Sequence, residues 1–429
     1  MNLYILTLFV LLSFVNTSKT LEFNGLNDLP VVMFNTSINC SDPNDPCDLF
    51  DPANWIGGVV PSPSNNGLID YSPQTINNKL TQYINVTNKY SFNSNIGSLS
   101  VKGPNVQLGV YGYIWAHQSL EIVDANVVNV DPPGIRVTGG FLLLGQSTFN
   151  VSALILEGSV FVDVSASFMV SNEFLQILQS EEEPTQQTVY FQSQPVFKDL
   201  GQVSFECLNS TFYAGVNIMG STAPATFNHT IYLHGQSSID SINLFDTANL
   251  YVMDGANLLI TNQLDSESGS NIYVSNLGAL VVDGKQLITG DGVTINGSVT
   301  ISNGVYTPGQ HSIITGDLIQ PSGLVMFTSN IQSLTVQGSF KSSSIEYLDA
   351  LTPGLDQQPI LTVEGELVSQ SVHVQFVATS PKSGDAYVLM FAPTYDNTAD
   401  YVVKWANSSV ELRYNITYNA GKVILQFSS

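Results

Sequence analysis

The stretch "NLYVMDGANLLITN", Asn249 to Asn262, is followed by "NIYVSNLGALVVDG", Asn271 to Gly284, in which the same pattern returns. The two stretches begin 22 residues apart, and "IYL" at Ile231 precedes "LYV" at Leu250 by 19 residues. Each unit contains short apolar runs separated by a turn of Asp, Asn, Ser or Gly. A period of about 20 residues with this content predicts a β-solenoid, whose stacked coils bury their inward side chains against one another.

The rest of the chain favours the same fold class. From about residue 99 to residue 340, runs rich in Val, Ile, Leu, Tyr and Thr are broken by Gly, Asn, Asp or Ser, and helical spacing is almost absent. The turns are too short and too frequent for helical crossovers, which argues against α/β folds with helix-covered parallel sheets. A propeller would need units of about 40 residues, and a sandwich does not explain the repeats. One segment, "NEFLQILQSEEEPTQQ" at Asn172 to Gln187, is predicted to be a helix that leads into an acidic loop.

We therefore predict an all-β protein, a right-handed parallel β-helix (β-solenoid) closed at both ends. The predicted divisions are an N-terminal cap region at residues 21–94, the β-helix at residues 95–347 and a C-terminal β cap at residues 348–429. Exposed edges of the terminal coils would invite end-to-end pairing, so cap quality would decide oligomeric state.

The N-terminal residues predict a secreted protein. The run from Asn2 to Val15 is apolar, uncharged and too short to span a membrane, which is typical of a signal peptide, here residues 1–18. No later run reaches 18 uninterrupted apolar residues, so no membrane span is expected after signal removal. An extracellular location would make the nine Asn-x-Ser/Thr sequons that follow the predicted signal peptide candidate glycosylation sites. They are Asn35, Asn39, Asn85, Asn150, Asn209, Asn228, Asn296, Asn407 and Asn415.

The three cysteines agree with an oxidising compartment. Cys40 and Cys47 lie in the Pro- and Asp-rich loop "NCSDPNDPCDLF", where a short disulfide is expected. Cys207 is then unpaired, and the sequence does not decide its fate. Zinc would need further Cys or His ligands at short spacing, and the sequence has none.

The charge balance limits the classes of partner. Lys and Arg number 12 against 35 Asp and Glu, a formal net charge of −23. Phosphate recognition depends on Lys and Arg, so nucleic acid and anionic membranes are disfavoured. Extracellular polysaccharide and proteins of the cell surface or matrix remain the expected partners.

Catalysis is the main alternative to a structural role. Asp254, Asp283, Asp291 and Asp317 lie beside glycines, and stacking in register could bring two of them together as in a glycosidase. Asp-Gly is also a common way to build a tight turn, and we prefer that interpretation. A lyase would need basic residues to neutralise an acidic substrate, and the chain has only two arginines. A polysaccharide hydrolase or lyase is kept as the second hypothesis.

Ligand binding without catalysis is the third hypothesis. "YGYIWAHQ", Tyr111 to Gln118, is the one dense aromatic cluster, and exposed rings such as Trp115 could stack on sugars in a lectin-like glycan-binding module. Packing between coils is the preferred interpretation of these rings. No cofactor is expected, although turns rich in Asp, Asn and Gly offer the oxygen ligands that calcium takes, so calcium is kept as an alternative.

Two further stretches carry a family resemblance. "GVYTPGQHSIITGDLIQPSGLVMF", Gly304 to Phe327, resembles a pattern in the passenger domains of autotransporters and related secreted β-helix adhesins, with strands between turns at Pro308-Gly309, Gly316-Asp317 and Ser322-Gly323. The strands that follow it are similar to those that close such passengers as a terminal β cap. The sequons indicate a eukaryotic-type secretory route, so the resemblance bears on architecture and not on autotransport.

The stretch "ANWIGGVVPSPSNNGLIDY", Ala53 to Tyr71, is similar to the N-terminal segment of those passengers, with Asn54, Trp55, Gly58 and Pro61 at matching places. We expect Trp55, Gly58 and Pro61 to form a structural cap in which Trp55 covers the open end of the first coil. Asn66-Gly67 is predicted to be a turn. The whole sequence thus predicts a secreted glycoprotein with a non-catalytic structural or adhesive role in an extracellular matrix, a coat or a cell surface.

Overall fold

The computed structural model describes residues 29–71, 82–86, 93–110, 112–129, 134–179, 187–207, 209–245, 247–396, 398–405 and 413–428. The predicted signal peptide and the sequon at Asn407 lie outside the described residues. The described part of the chain contains β-strands, two short 3-10 helices at Pro52–Asn54 and Ile56–Gly58, and no α-helix.

The strands are short and follow one another closely along the chain. The first part contains β1 Val31–Met33, β2 Cys47–Asp48, β3 Asn66–Asp70, β4 Gln82–Val86, β5 Asn93–Lys102, β6 Val106–Val110, β7 Tyr113–Val123, β8 Asn126–Asn129, β9 Ile135–Val137, β10 Gly140–Leu144, β11 Thr148–Leu156, β12 Val160–Val162 and β13 Ser167–Ile177. The middle part contains β14 Val189–Phe191, β15 Val196–Lys198, β16 Gln202–Phe205, β17 Asn209–Phe212, β18 Asn217–Met219, β19 Ala225–Phe227, β20 Thr230–Leu233, β21 Gln236–Leu244, β22 Asn249–Val252, β23 Asn257–Ser266, β24 Asn271–Val274, β25 Ala279–Thr289 and β26 Thr294–Asn296. The last part contains β27 Val299–Thr307, β28 Ser312–Ile314, β29 Leu318–Gln320, β30 Leu324–Phe327, β31 Leu334–Val336, β32 Phe340–Leu348, β33 Leu361–Val363, β34 Glu366–Phe376, β35 Ala386–Phe391, β36 Thr394–Asp396, β37 Asp400–Trp405, β38 Arg413–Asn419 and β39 Lys422–Ser428.

Residues at equivalent positions of the sequence repeats pair with each other in neighbouring strands. Asn249 pairs in parallel with Asn271, the 22-residue offset, and Ile231 pairs with Leu250, the 19-residue offset. Both predicted offsets are confirmed. The reason is physical: each coil places its apolar residues at the same points as the coil before it, because the side chains of stacked coils share one interior.

The parallel pairs connect into three long series, an arrangement compatible with a β-solenoid. Many longer strands, such as β23 and β25, take part in two series because they bend at a shift in register. The first series runs through β1, β3, β5, β7, β10, β12, β14, β17, β20, β22, β24, β26, β28, β31, β33 and β35. At a strand spacing of about 4.8 Å this series extends for about 70 Å.

The core lies between the three series and is continuous from coil to coil. Along β22, Leu250 and Val252 are buried and the tyrosine between them faces outward, as strand alternation requires. Inward phenylalanines stack between coils, with ring centroids 5.0 Å apart for Phe191 and Phe212. Apolar burial at every coil is therefore the main source of stability.

Parallel pairing extends beyond the segment predicted for the β-helix. It begins with β1 on β3 and continues to β37 on β34, so the predicted boundaries at residues 94/95 and 347/348 do not coincide with a change in pairing. Among the described strands, two pairs are antiparallel: β35 with β39, and β38 with β39. The chain thus changes its mode of pairing at its C-terminal end.

The predicted helix at residues 172–187 and the predicted turn at Asn66-Gly67 are both wrong. The predicted helix begins inside a strand: in β13, Leu175 and Ile177 are buried while Gln176 faces outward, and the strand pairs with β11 and β16. A short apolar run satisfies the helical and the strand period equally, and the stacking decides for the strand. The acidic residues 180–186 lie outside the described residues. The predicted turn at Asn66-Gly67 is the start of β3, and the turn precedes it at residues 62–65.

Candidate functional surface

The outward side chains of the first series form a ladder of tyrosines. Tyr232, Tyr251 and Tyr273 occupy the same register position in β20, β22 and β24. Their rings stack with centroids 4.9 Å apart for Tyr232 and Tyr251 and 4.4 Å apart for Tyr251 and Tyr273, and with small interplanar angles of 18° and 6°. Burial raises the pKa of the Tyr251 hydroxyl, and the neighbouring tyrosines raise it further. We call these three residues the tyrosine ladder.

The ladder presents ring edges and hydroxyl groups to solvent. Both faces of the central ring, Tyr251, are covered by its neighbours, whereas stacking on a sugar uses an exposed ring face. The central ring therefore serves the cohesion of neighbouring coils. The ladder was missed by the sequence analysis, although a Tyr follows the apolar residue in "TIYL", "NLYV" and "NIYV" alike.

Removal of the central ring tests this role of the ladder. We expect Tyr251→Ala to lower the free energy of unfolding by about 2 kcal/mol, because two ring contacts and their apolar area are lost. Tyr251→Phe keeps the ring and should stay within about 0.5 kcal/mol of the unsubstituted protein. Denaturant unfolding of the two variants measures both values. Equal stability of the alanine variant and the unsubstituted protein would contradict a structural ladder.

The aromatic cluster predicted around Trp115 is present and already has partners. The guanidinium of Arg136 lies 4.5 Å from the centroid of the Trp115 ring, and the ring of His117 stacks on it at 4.3 Å. The indole N–H donates a hydrogen bond of 2.6 Å to Thr138 Oγ1. Arg136 also forms an ion pair with Glu157. A sugar that stacked on Trp115 would have to displace one of these groups, so the cluster supports packing between coils.

The four aspartates of the enzyme hypothesis lie at separate places along the chain. Asp254 is exposed in a turn, as predicted. Asp283 lies within β25 where the register shifts, so the predicted turn is wrong there. Three of them accept hydrogen bonds from the following coil: Asp283 from the Asn303 amide at 2.6 Å, Asp291 from the Gln310 N–H at 2.7 Å and Asp317 from the Ser339 N–H at 2.7 Å. These carboxylates therefore link each coil to the next.

Metal-ligating side chains do not gather in the described part of the chain. Its His, Cys, Asp and Glu residues form no group of three or more that could hold a metal ion. Within the same residues, no helix has the length and apolar character needed to span a membrane.

Every sequon asparagine whose side chain is described reaches the surface. Asn39, Asn209 and Asn415 are exposed, and the others are half-buried, namely Asn35, Asn150, Asn228 and Asn296. For Asn85 the structure describes the backbone, which pairs with Asp48 in β2. A sugar could therefore be carried at seven of the nine positions without opening the core.

The residues of the predicted N-terminal cap occupy different environments. Trp55 is 3% exposed, stacks edge-to-face on Phe34 at 5.3 Å and donates its indole N–H to the Leu49 carbonyl at 2.6 Å. Pro61 is buried against Gly67, whereas Gly58 is exposed in the left-handed region with φ of 70°. Trp55 is thus a core residue at the N-terminal end.

The cysteines divide into a pair and a single thiol. Cys40 and Cys47 form a disulfide within the loop that precedes Trp55. Cys207 is free and buried, with its sulfur 3.0 Å from Ser210 Oγ. Burial raises the pKa of the Cys207 thiol to about 11. The thiol therefore stays protonated at neutral pH, which suits a packing residue and not a nucleophile.

Comparison of the chain with protein-family models, with curated proteins and with solved structures returned no match.

Proposed function

We propose that the chain is a secreted glycoprotein with a non-catalytic structural or adhesive role in an extracellular matrix, a coat or a cell surface. The observation that supports this proposal is that the aromatic and acidic side chains considered for binding or catalysis contact neighbouring coils instead. The tyrosine ladder, the Trp115 cluster and three of the four aspartates hold coil to coil. Such a molecule offers a long, stable outer surface, and its surface asparagines can carry glycans.

We further propose that the solenoid is a right-handed parallel β-helix with a cap at each end. The burial of Trp55 against Phe34 supports the N-terminal cap. In this cap Gly58 and Pro61 set the direction of the backbone around Trp55. The antiparallel pairing of β39 with β35 supports the C-terminal cap, because it covers the edge of the last strand of the first series. Right-handedness is the hand that parallel crossovers in one sheet favour.

The proposed partners are extracellular polysaccharide or proteins of the matrix or cell surface. The acidic surface supports this choice, since a formal net charge of −23 repels polyanions such as nucleic acid. No cofactor is required for such a role.

A direct comparison of binding and cleavage tests the proposal. The glycosylated full-length protein is incubated with neutral and acidic polysaccharides, and with extracellular matrix from the producing cells. We expect retention on matrix or cells, and neither new reducing ends nor the ultraviolet absorbance of unsaturated lyase products. Release of reducing ends that scales with protein concentration would overturn the non-catalytic assignment. Failure to be retained on any matrix or cell surface would overturn the adhesive one.

A further inference from the structure

The tyrosine ladder ends at a sequon. Tyr273 stacks one face on Tyr251, and in the next coil its register partner is Asn296, the first residue of Asn-Gly-Ser. Both side chains face outward from the same series, because the residue before each of them, Ile272 or Ile295, is fully buried. Among the described residues no ring stacks on the second face of Tyr273. Asn296 therefore stands where the next ring of the ladder would be.

The local structure leaves the amide of Asn296 available. Asn296 is the last residue of β26, and Gly297 follows with φ of 128°, which turns the chain away from the strand. Its side chain makes no hydrogen bond to another described residue. Asn296 thus combines a surface position, a strand end and an unused amide.

The spacing of the sheet suits a sugar at this place. Neighbouring strands lie about 4.8 Å apart, so a ring-shaped group attached at Asn296 lies at stacking distance from the Tyr273 ring. The C–H face of a pyranose is apolar and packs against an aromatic face, as the next tyrosine would. We propose that Asn296 carries an N-linked glycan whose first sugar covers the free face of Tyr273 and extends the tyrosine ladder.

This inference rests on the proposed secretion, which supplies the modifying pathway. The co-reactant is an oligosaccharide linked to a lipid pyrophosphate. Asn296 Nδ2 forms a bond to C1 of the first sugar, the bond from C1 to the pyrophosphate oxygen breaks, the lipid pyrophosphate leaves, and one amide proton passes to solvent. No oxidant or reductant is involved.

Site-resolved mass spectrometry of the full-length chain, expressed in a eukaryotic secretory host, gives the first test. We expect glycan on the Asn296 peptide. An unmodified Asn296 in a secreted chain that is glycosylated elsewhere would overturn the inference and leave the proposed function intact. A chain that is neither secreted nor glycosylated would overturn both.

Thermal unfolding before and after enzymatic removal of whole glycans gives the second test. For the unsubstituted protein and for Tyr273→Phe, we expect deglycosylation to lower Tm by about 1–3 °C more than it does for Asn296→Gln, which lacks that glycan from the start. Tyr273→Ala should lose this dependence on the Asn296 glycan. The matched control is Asn150→Gln, which removes the glycan at Asn150. The register neighbours of Asn150 are Val128 and Met169, and neither is a ring. The effect of the Asn296 glycan on Tm should therefore be the same in this variant as in the unsubstituted protein. The same glycan dependence in Tyr273→Ala would contradict stacking.

A third measurement covers the case in which Tyr273→Ala is not secreted. Proton NMR of the glycosylated, unsubstituted protein should show C–H protons of the first sugar at Asn296 shifted upfield by the Tyr273 ring current. Shifts equal to those of a free glycopeptide would overturn the inference.

Discussion

Gly139→Ala is expected to lower the free energy of unfolding by about 4 kcal/mol or more and to prevent the chain from leaving the producing cell. Gly139 lies in the bend between β9 and β10, directly beside the preceding coil. A methyl group at this position would lie 1.6 Å from the backbone oxygen of Gln118, closer than any two such atoms approach. Backbone atoms cannot rotate away as a side chain can, so the coils would have to separate.

The next coil approaches Gly139 equally closely, since a methyl group at Gly158 would lie 1.6 Å from the backbone oxygen of Gly139. The matched control is Gly112→Ala, because a methyl group at Gly112 meets no atom within 4 Å. We expect that control to be secreted and to unfold like the unsubstituted protein. The measurements are the secreted yield and denaturant unfolding of any folded material. Equal yield and stability of Gly139→Ala and Gly112→Ala would contradict the stacking of coils at this bend.

Trp55→Ala is expected to lower the free energy of unfolding by about 3–5 kcal/mol, the usual range for removing a buried large aromatic side chain. The substitution leaves a cavity beside Phe34 and an unpaired carbonyl at Leu49, where the indole N–H now donates. If Trp55 belongs to the proposed cap, the effect should begin at the N-terminal end. Hydrogen exchange should then accelerate first in β1 and β3 and last in the middle of the solenoid.

The neighbouring residue provides the control for Trp55. Ile56 is 60% exposed, and Ile56→Ala should leave secretion and stability within about 0.5 kcal/mol of the unsubstituted protein. Unchanged thermal stability and secretion of Trp55→Ala would show that Trp55 is not part of a cap. Uniformly faster exchange along the whole chain would show that the N-terminal end does not unfold separately.

The pairing registers of the parallel strands could be predicted from the sequence because its repeats have nearly constant length. Ile231, Leu250 and Ile272 follow one another at 19 and 22 residues, and the same offsets pair β20, β22 and β24. The handedness was not readable in this way, since a coil of given length has the same offsets in either hand. The strand that contains Leu175 and Ile177 was predicted to be a helix, because six residues are too few to distinguish the helical period of apolar residues from the strand period.

The candidate surface was less accessible to prediction than the fold. The outward tyrosines recur with the repeat, yet their stacking depends on ring orientations that the pattern of apolar residues does not specify. The link between Tyr273 and Asn296 depends on the register of β24 with β26, where the repeat in the sequence has weakened to "TIN". The interpretation of the aspartates as turn residues is confirmed for Asp254 and Asp291 and wrong for Asp283, which lies within β25. The hydrogen bond that Asp291 accepts from the next coil follows only from stacking.

We propose that this chain works outside the cell as a glycoprotein. The most direct measurement follows the full-length chain with a C-terminal tag in a eukaryotic secretory host, comparing medium, matrix and cell interior before and after enzymatic removal of N-linked glycans. We predict that most of the tagged chain lies in the medium or matrix, and that its mass falls by several glycans on deglycosylation. A chain that stays inside the cell with an unchanged mass, while a known secreted glycoprotein from the same cells shifts normally, would contradict the claim.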